Sequence, residues 1–164
     1  MLELKDIAIS FRQARKKVKV LDGISLHVQK GEFVSLLGPS GSGKSTLFHI
    51  IGGLKHPDSG QVMLEGKNVT GQKGRISYMP QNYSLLPWRS VLDNVILSQE
   101  IAGVRKKEAR EQAKMWMERV GLAGYEKAYP HALSGGMQQR AAFLRTLLSP
   151  QEIMCLDEPF ANLD

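Results

Sequence analysis

The residues with the most chemistry in them are GPSGSGKST, at positions 38–46. They contain the pattern GxxxxGK[ST], in which a glycine-rich turn between a strand and a helix lets successive backbone N–H groups converge on phosphate oxygens, with the helix N-terminus adding positive potential. Gly38, Gly41 and Gly43 permit the turn, with Pro39, Ser40 and Ser42 between them. Lys44 is spaced to reach the β- and γ-phosphates of a nucleoside triphosphate, Ser45 to offer its hydroxyl to Mg²⁺, and Thr46 to assist at the α-phosphate. Residues 32–37 (EFVSLL) read as a buried strand ahead of the loop, and Leu47, Ile50, Ile51 and Leu54 keep helical spacing behind it. A chance match in a glycine-rich loop would not bring strand, loop and helix in that order.

A second candidate is IMCLDEP, at 153–159. An apolar strand over 153–156 that ends in two carboxylates sets both at a strand's carboxyl end, where a metal and an attacking water must sit beside the terminal phosphate. Asp157 would hold Mg²⁺ directly or through water, Glu158 would polarise the water, and Pro159 would end the strand. In isolation the same two acids read equally as a turn capping a following helix. Beside a phosphate loop, the metal-and-water reading is preferred.

The third motif is LSGGM, at 133–137, and with it the chain resembles the nucleotide-binding subunits of ATP-binding cassette (ABC) transporters along nearly its whole length. That resemblance implies an α/β P-loop NTPase fold with a mixed sheet. It divides the chain into an N-terminal β subdomain and P-loop core (1–81), a helical subdomain (82–132), and a signature helix with the acidic strand (133–164). It implies ATP and Mg²⁺ as cofactors and a head-to-tail homodimer, in which Ser134, Gly135 and Gly136 touch a γ-phosphate bound by the second subunit's Lys44. Met137, Ala141, Leu144 and Leu148 independently predict a helix that opens at this motif and stops near Leu148, before Pro150. A plain N-cap is the competing reading of Ser134.

Two more positions match the family by order. Gln81 resembles the glutamine that senses Mg²⁺ and water and connects the site to a transmembrane partner. Phe11 resembles the aromatic residue that stacks on adenine, with an ordinary strand residue as the alternative. Residues 80–95 fall where the family docks its permease subunits, so Tyr83, Leu85, Leu86 and Trp88 are either contact residues or subdomain core. The LLPW run, residues 102–113 and Met137 are similar to importer ATPases for nitrate, sulfonates, taurine and thiamine precursors. An external substrate-binding protein would then act indirectly, no nucleic-acid partner is expected, and the protein would be peripheral at the cytoplasmic face of the membrane.

The elements that must position these residues are legible in outline. Residues 1–80 read as strands and turns around the P-loop helix, including a strand at 75–79, with glycine turns at 58–60, at Gly66 and at 71–74. Residues 82–132 read as helical, with Ala109, Ala113, Trp116 and Val120 on one stripe, Glu111 and Lys114 spaced to pair, and Gly121 as a stop. At 164 residues with 42% hydrophobic content the chain can bury a proper core. The single cysteine, Cys155, excludes an internal disulfide and suits a reducing compartment as a buried thiol. No run approaches the ~18 apolar residues of a membrane span, and the first residues lack a signal-peptide pattern. The net charge of +6 concentrates in Arg12, Arg15, Lys16, Lys17 and Lys19, read as a solvated hairpin tip with a lipid surface as the alternative.

The resemblance also carries an expectation of incompleteness. The chain stops at ANLD, on what resembles the aspartate of a loop that the family continues beyond, and none of His27, His49, His56 or His131 is placed to serve as the family's switch histidine. The expectation is a C-terminally truncated cassette whose P-loop strand lacks parallel neighbours and which hydrolyses ATP negligibly alone. The competing functions are a non-transport ABC ATPase acting on nucleic acid and an inactive remnant.

Overall fold

A computed structural model describes residues 1–13 and 16–159. Arg15 and the ANLD segment lie outside the described residues, with the reading made of its final aspartate. The chain divides into two compact units, residues 1–76 and 77–164.

The first unit is built on an antiparallel sheet ordered β2-β1-β3-β4, from β1 (Leu2–Gln13), β2 (Lys16–Val28), β3 (Ser59–Leu64) and β4 (Lys67–Asn68). Leu2, Leu4, Ile7 and Ile9 of β1 are all buried although the spacing from Leu4 to Ile7 is odd. A bulge reconciles the two. The register shifts between Leu4 and Ile7, Asp6 takes φ 47°, and the extra residue returns Ile7 to the core face. Ser25 holds the bulge, its hydroxyl accepting from the Asp6 N–H at 3.0 Å and donating to Asp6 Oδ1 at 3.2 Å. Gly60 faces it at φ 93°, where a Cβ would sit 2.4 Å from the Lys5 carbonyl oxygen, so only glycine fits there. The turn expected at Gly66 is present, with Glu65 and Gly66 both at positive φ in the two-residue hairpin between β3 and β4.

Helix α1 (Lys44–Ile51) buries Leu47, Ile50 and Ile51. It ends at Gly52 and Gly53, the latter at φ 70°, so Leu54 falls outside the helix and is half exposed, contrary to its helical spacing in the sequence. Residues 32–37 differ more. They form no strand, and Phe33 and Leu37 are 88% and 94% exposed. Among the described residues no strand pairs with this segment, so its backbone has no ladder and Phe33 and Leu37 have almost no cover. The apolar run is a correct marker of strand propensity, but burial requires a neighbour.

The second unit pairs β5 (Ser77–Met79) with β6 (Met154–Leu156) in parallel, and adds α2 (Val91–Val95), α3 (Leu97–Ile101), α4 (Lys106–Arg119), a 3₁₀ turn at Pro130–Ala132 and α5 (Gly135–Leu147). Its helices pack around Val91, Val95, Ile96, Ala109, Ala113, Met117, Leu122 and Leu144, each about fully buried. On α4 the inward stripe is Ala109, Ala113 and Met117, with Trp116 and Val120 at its margin. Gly121 at φ 70° ends that helix as expected. The pair expected between Glu111 and Lys114 is not among the ion pairs of the described residues; an i,i+3 pair instead joins the N-cap residue Arg105 to Glu108 at 2.8 Å. Among the described residues no helix is long and apolar enough to cross a membrane.

Asn94 on α2 is fully buried and satisfies a loop by itself. Its Oδ1 accepts from the Leu86 N–H at 2.7 Å, while Nδ2 donates to the carbonyls of Leu86, Arg89 and Ser90 at 3.0, 3.1 and 3.0 Å. Removing it takes the partner from the part-buried Leu86 N–H and Arg89 carbonyl, while the Leu86 and Ser90 carbonyls keep the N–H groups of Arg89 and Asn94, so Asn94→Ala in the full-length protein is expected to lower unfolding free energy by about 2–4 kcal/mol. A urea melt checks this, and a midpoint matching the parent's would contradict the pinning role.

Candidate functional site

Two groups of side chains, one in each unit, could do the chemistry. In the first, Gly43 caps α1 in the left-handed region at φ 94°, and the space its missing Cβ would take is closed by Leu21 Cδ2 at 2.9 Å and Val20 Cγ1 at 3.1 Å. A side chain there would push the loop off β2. Gly41 is also left-handed at φ 78°, and Gly38 lies against the Ser42 hydroxyl. The Ser42 N–H donates to the Pro39 carbonyl at 3.2 Å and closes the turn. The Lys44 ammonium folds back over the loop, donating to the carbonyls of Gly38 at 2.7 Å and Pro39 at 2.9 Å. A phosphate entering the loop can take over these donors, with the N-terminus of α1 behind it. Ser45 and Thr46 follow on the first turn of the helix. Gly38, Pro39, Ser40, Gly41 and Ser42 are exposed to a ligand.

Phe11 stands on β1 opposite Val18 of β2. The Lys55 ammonium lies 4.6 Å from the centroid of its ring, a cation–π contact that occupies one face. Lys17 reaches Asp58 at 3.9 Å and Lys19 reaches Asp22 at 2.8 Å, so two of the hairpin cations are matched by acids.

The second group depends on β5 pairing in parallel with β6. Asp157 continues the ladder beyond Leu156, its N–H donating to the Met79 carbonyl at 3.0 Å. This brings residues from around position 80 beside the two acids. Gln81 Nε2 donates to Glu158 Oε2 at 2.7 Å across 77 positions of sequence. Asp157 is 4% exposed, and its Oδ2 accepts from the Tyr78 hydroxyl at 3.3 Å. Burial foremost, and then the Asp157 carboxylate, raise the pKa of Tyr78, so the phenol stays a donor. Glu158 is exposed and takes φ 51°, which turns it off the strand direction.

Ser134 caps α5 with its hydroxyl accepting from the Met137 N–H at 3.3 Å, leaving Gly135 and Gly136 on the first turn. The helix runs to Leu147, matching the expected span. The N-cap and the proposed phosphate contact are compatible readings of Ser134, because the same helix N-terminus serves both. Of the four candidate contact residues, Leu85 packs on the helical core and Trp88 is 72% exposed, so the segment divides between the two readings.

Sequence reasoning missed three polar residues that hold this group in place. Arg145 of α5 donates to the carbonyls of Tyr83 and Ser84, each at 2.8 Å, and burial lowers its pKa. Gln139, also on α5, donates to the Pro159 carbonyl at 2.6 Å. Tyr78 is the third. Arg145 and Gln139 carry no local signal in the sequence, since their partners are backbone carbonyls on distant segments.

The oxygen donors of the second group suit Mg²⁺ chemically: carboxylate and amide oxygens are hard ligands, and Asp157 is a buried carboxylate with one neutral side-chain donor among the described residues, which leaves its charge available. Among the described residues no group of three or more His, Cys, Asp or Glu could hold a metal alone, so phosphate oxygens would complete the coordination.

The family described as ABC transporter matches residues 21–161. An uncharacterised ABC transporter ATP-binding protein of Methanocaldococcus jannaschii is 47% identical over 99% of this chain and 61% of its own length. A formylaminopyrimidine import ATP-binding protein of Halalkalibacterium halodurans is 50% identical over 88% of the chain and 56% of its own length. The chain therefore spans less than two thirds of these relatives. A solved dimeric ATP-binding cassette in a post-hydrolysis state with ADP and Pi superposes with TM-score 0.88 at 30% identity, covering 100% of this chain and 76% of that one.

Cys155, the ladder partner of Tyr78, is buried, and burial pushes its thiol up to about 12 from 9.0. The unfolded chain releases this proton at the lower value and the folded protein keeps it, so stability is expected to fall as pH rises from 9.0 towards about 12. Denaturant melts across that window check the slope, which Cys155→Ala should flatten. A native thiol that reacts with a charged disulfide reagent at neutral pH as fast as in denaturant would contradict the burial.

Proposed function

Since the chain belongs to the ABC transporter family and has the α/β P-loop fold of its ATP-binding cassettes, we propose that the full-length protein binds and hydrolyses ATP to drive a membrane importer for a small solute. The observation that carries this reading is the Gln81–Glu158 hydrogen bond beside the buried Asp157 carboxylate, a metal-and-water station at a strand's carboxyl end. For the solute we propose the nitrate, sulfonate or thiamine-precursor type, which relatives named for import of formylaminopyrimidine, nitrate and aliphatic sulfonates support.

In this reading Lys44 and the loop amides of 38–46 bind the β- and γ-phosphates, Thr46 assists at the α-phosphate, and Phe11 stacks on adenine. Stacking on the ring face now held by Lys55 would displace that ammonium. Ser45, Gln81 and Asp157 would hold Mg²⁺, which when bound neutralises charge developing on the transferred phosphoryl group. Glu158 accepts a hydrogen bond from the attacking water and orients it, once Gln81 releases the carboxylate. Ser134, Gly135 and Gly136 complete the nucleotide site of a second subunit in a head-to-tail dimer. The division into 1–81, 82–132 and 133–164 is the organisation we assign, and the exposed Trp88 is the anchor for a permease. The protein would act at the cytoplasmic face of the membrane, with an external substrate-binding protein involved indirectly.

Lys44→Ala is expected to weaken ATP binding roughly tenfold or more and to abolish turnover. Glu158→Gln should keep ATP binding but slow hydrolysis by about 100-fold or more and trap an ATP-bound dimer. Equilibrium binding, phosphate release and size-exclusion chromatography at saturating ATP read these outcomes; wild-type turnover in either variant sinks the assignment. Trp88→Ala should reduce co-purification with the permease at unchanged ATP affinity. Hydrolysis stimulated by DNA or RNA with no permease bound would instead favour a nucleic-acid enzyme.

A further inference from the structure

Asp157 presents a physical difficulty that the roles above do not resolve. A carboxylate 4% exposed is costly unless something hydrogen-bonds it, and a carboxylate fully engaged by cations or several N–H groups is a poor metal ligand. Among the described residues the one side chain that donates to it is Tyr78, through its hydroxyl to Oδ2 at 3.3 Å.

The strand register explains the contact. Tyr78 pairs with Cys155 in the parallel ladder, so Asp157 lies two residues further along the neighbouring strand on the same face, within reach of a long aromatic side chain. Ser77 and Met79 are buried on the other face, and the Ser77 hydroxyl donates to the Thr146 carbonyl at 3.0 Å, which anchors β5 to α5 and fixes the ring's departure point. The hydroxyl reaches one carboxylate oxygen and is neutral. At 3.3 Å it orients the group without cancelling its charge, and among the described residues no donor reaches Oδ1.

We propose that Tyr78 is a positioning residue for Mg²⁺ binding: its hydroxyl fixes the rotamer of Asp157 so that the remaining carboxylate oxygen is presented to the cation. This rests on the reading of Asp157 as a metal-holding carboxylate. In this role Tyr78 acts through the Asp157 carboxylate rather than as a ligand itself. Outer partners of metal ligands typically matter about 10–100-fold in metal affinity, and a lone orienting donor belongs at the lower end.

The test uses the full-length protein with Glu158→Gln to suppress hydrolysis, ATP at saturation and Mn²⁺ as probe, its free concentration followed by electron paramagnetic resonance. Tyr78→Phe is expected to weaken Mn²⁺ binding about tenfold while metal-free ATP affinity stays unchanged. Equal Mn²⁺ affinity in a Tyr78→Phe protein that melts like its parent overturns the proposal. Asp157→Asn separates the two claims. If it too leaves Mn²⁺ binding unchanged, the metal role of Asp157 fails. If it abolishes binding while Tyr78→Phe does not, only the role of Tyr78 fails. Should Tyr78→Phe melt early, Tyr78→His, which retains a ring donor, is compared with Tyr78→Leu. Stronger Mn²⁺ binding in the His variant supports the donor role, and equal binding overturns it.

Discussion

The parallel pairing of Ser77–Met79 with Met154–Leu156 is the constraint on which the second unit's chemistry depends. Three residues from each strand suffice to set the register, and the Asp157 N–H extends it by one bond to Met79. That register puts Tyr78 against Asp157 and delivers Gln81 to Glu158. A slip of one residue would turn each of these side chains to the opposite face. The short ladder needs support, and α5 provides it through Ser77 on Thr146 and Gln139 on Pro159.

Helix α5 therefore has two functions. Its N-terminus carries the serine and glycines of LSGGM, while its body braces both flanks of the acidic strand's neighbours. Arg145 extends the bracing to the carbonyls of Tyr83 and Ser84, and Asn94 pins the same loop from the other side at residues 86–90. The segment after Gln81 has little regular structure, yet its backbone groups have fixed partners. A loop held in this way can present Trp88 to a partner without being ordered by it.

The phosphate loop depends on a different constraint, close approach without side chains. Gly43 fits between the helix and the side chains of Val20 and Leu21, and Lys44 keeps the loop folded by bonding its carbonyls. A turn held by the loop's own residues limits what phosphate binding must order.

The sequence by itself determined the phosphate loop, the acidic pair and the span of the signature helix, because each is a local pattern: glycines where φ must be positive, apolar spacing at 3.6, a strand ending in two carboxylates. Gln81 was legible as a site residue only through family resemblance, and its bond to Glu158 came from the fold. The tertiary structure decided the rest. Phe33 and Leu37 read as buried because strand propensity is local, but burial belongs to neighbours, and among the described residues almost nothing covers them. Glu111 and Lys114 had the right spacing, yet the ion pair at the start of α4 joins its N-cap Arg105 to Glu108 instead, because spacing permits a pair without selecting it. Tyr78, Asn94, Gln139 and Arg145 were invisible to the sequence for one physical reason. Each acts through a hydrogen bond to a group several to many positions away, and no residue pattern encodes which strand will lie beside which until the chain has folded.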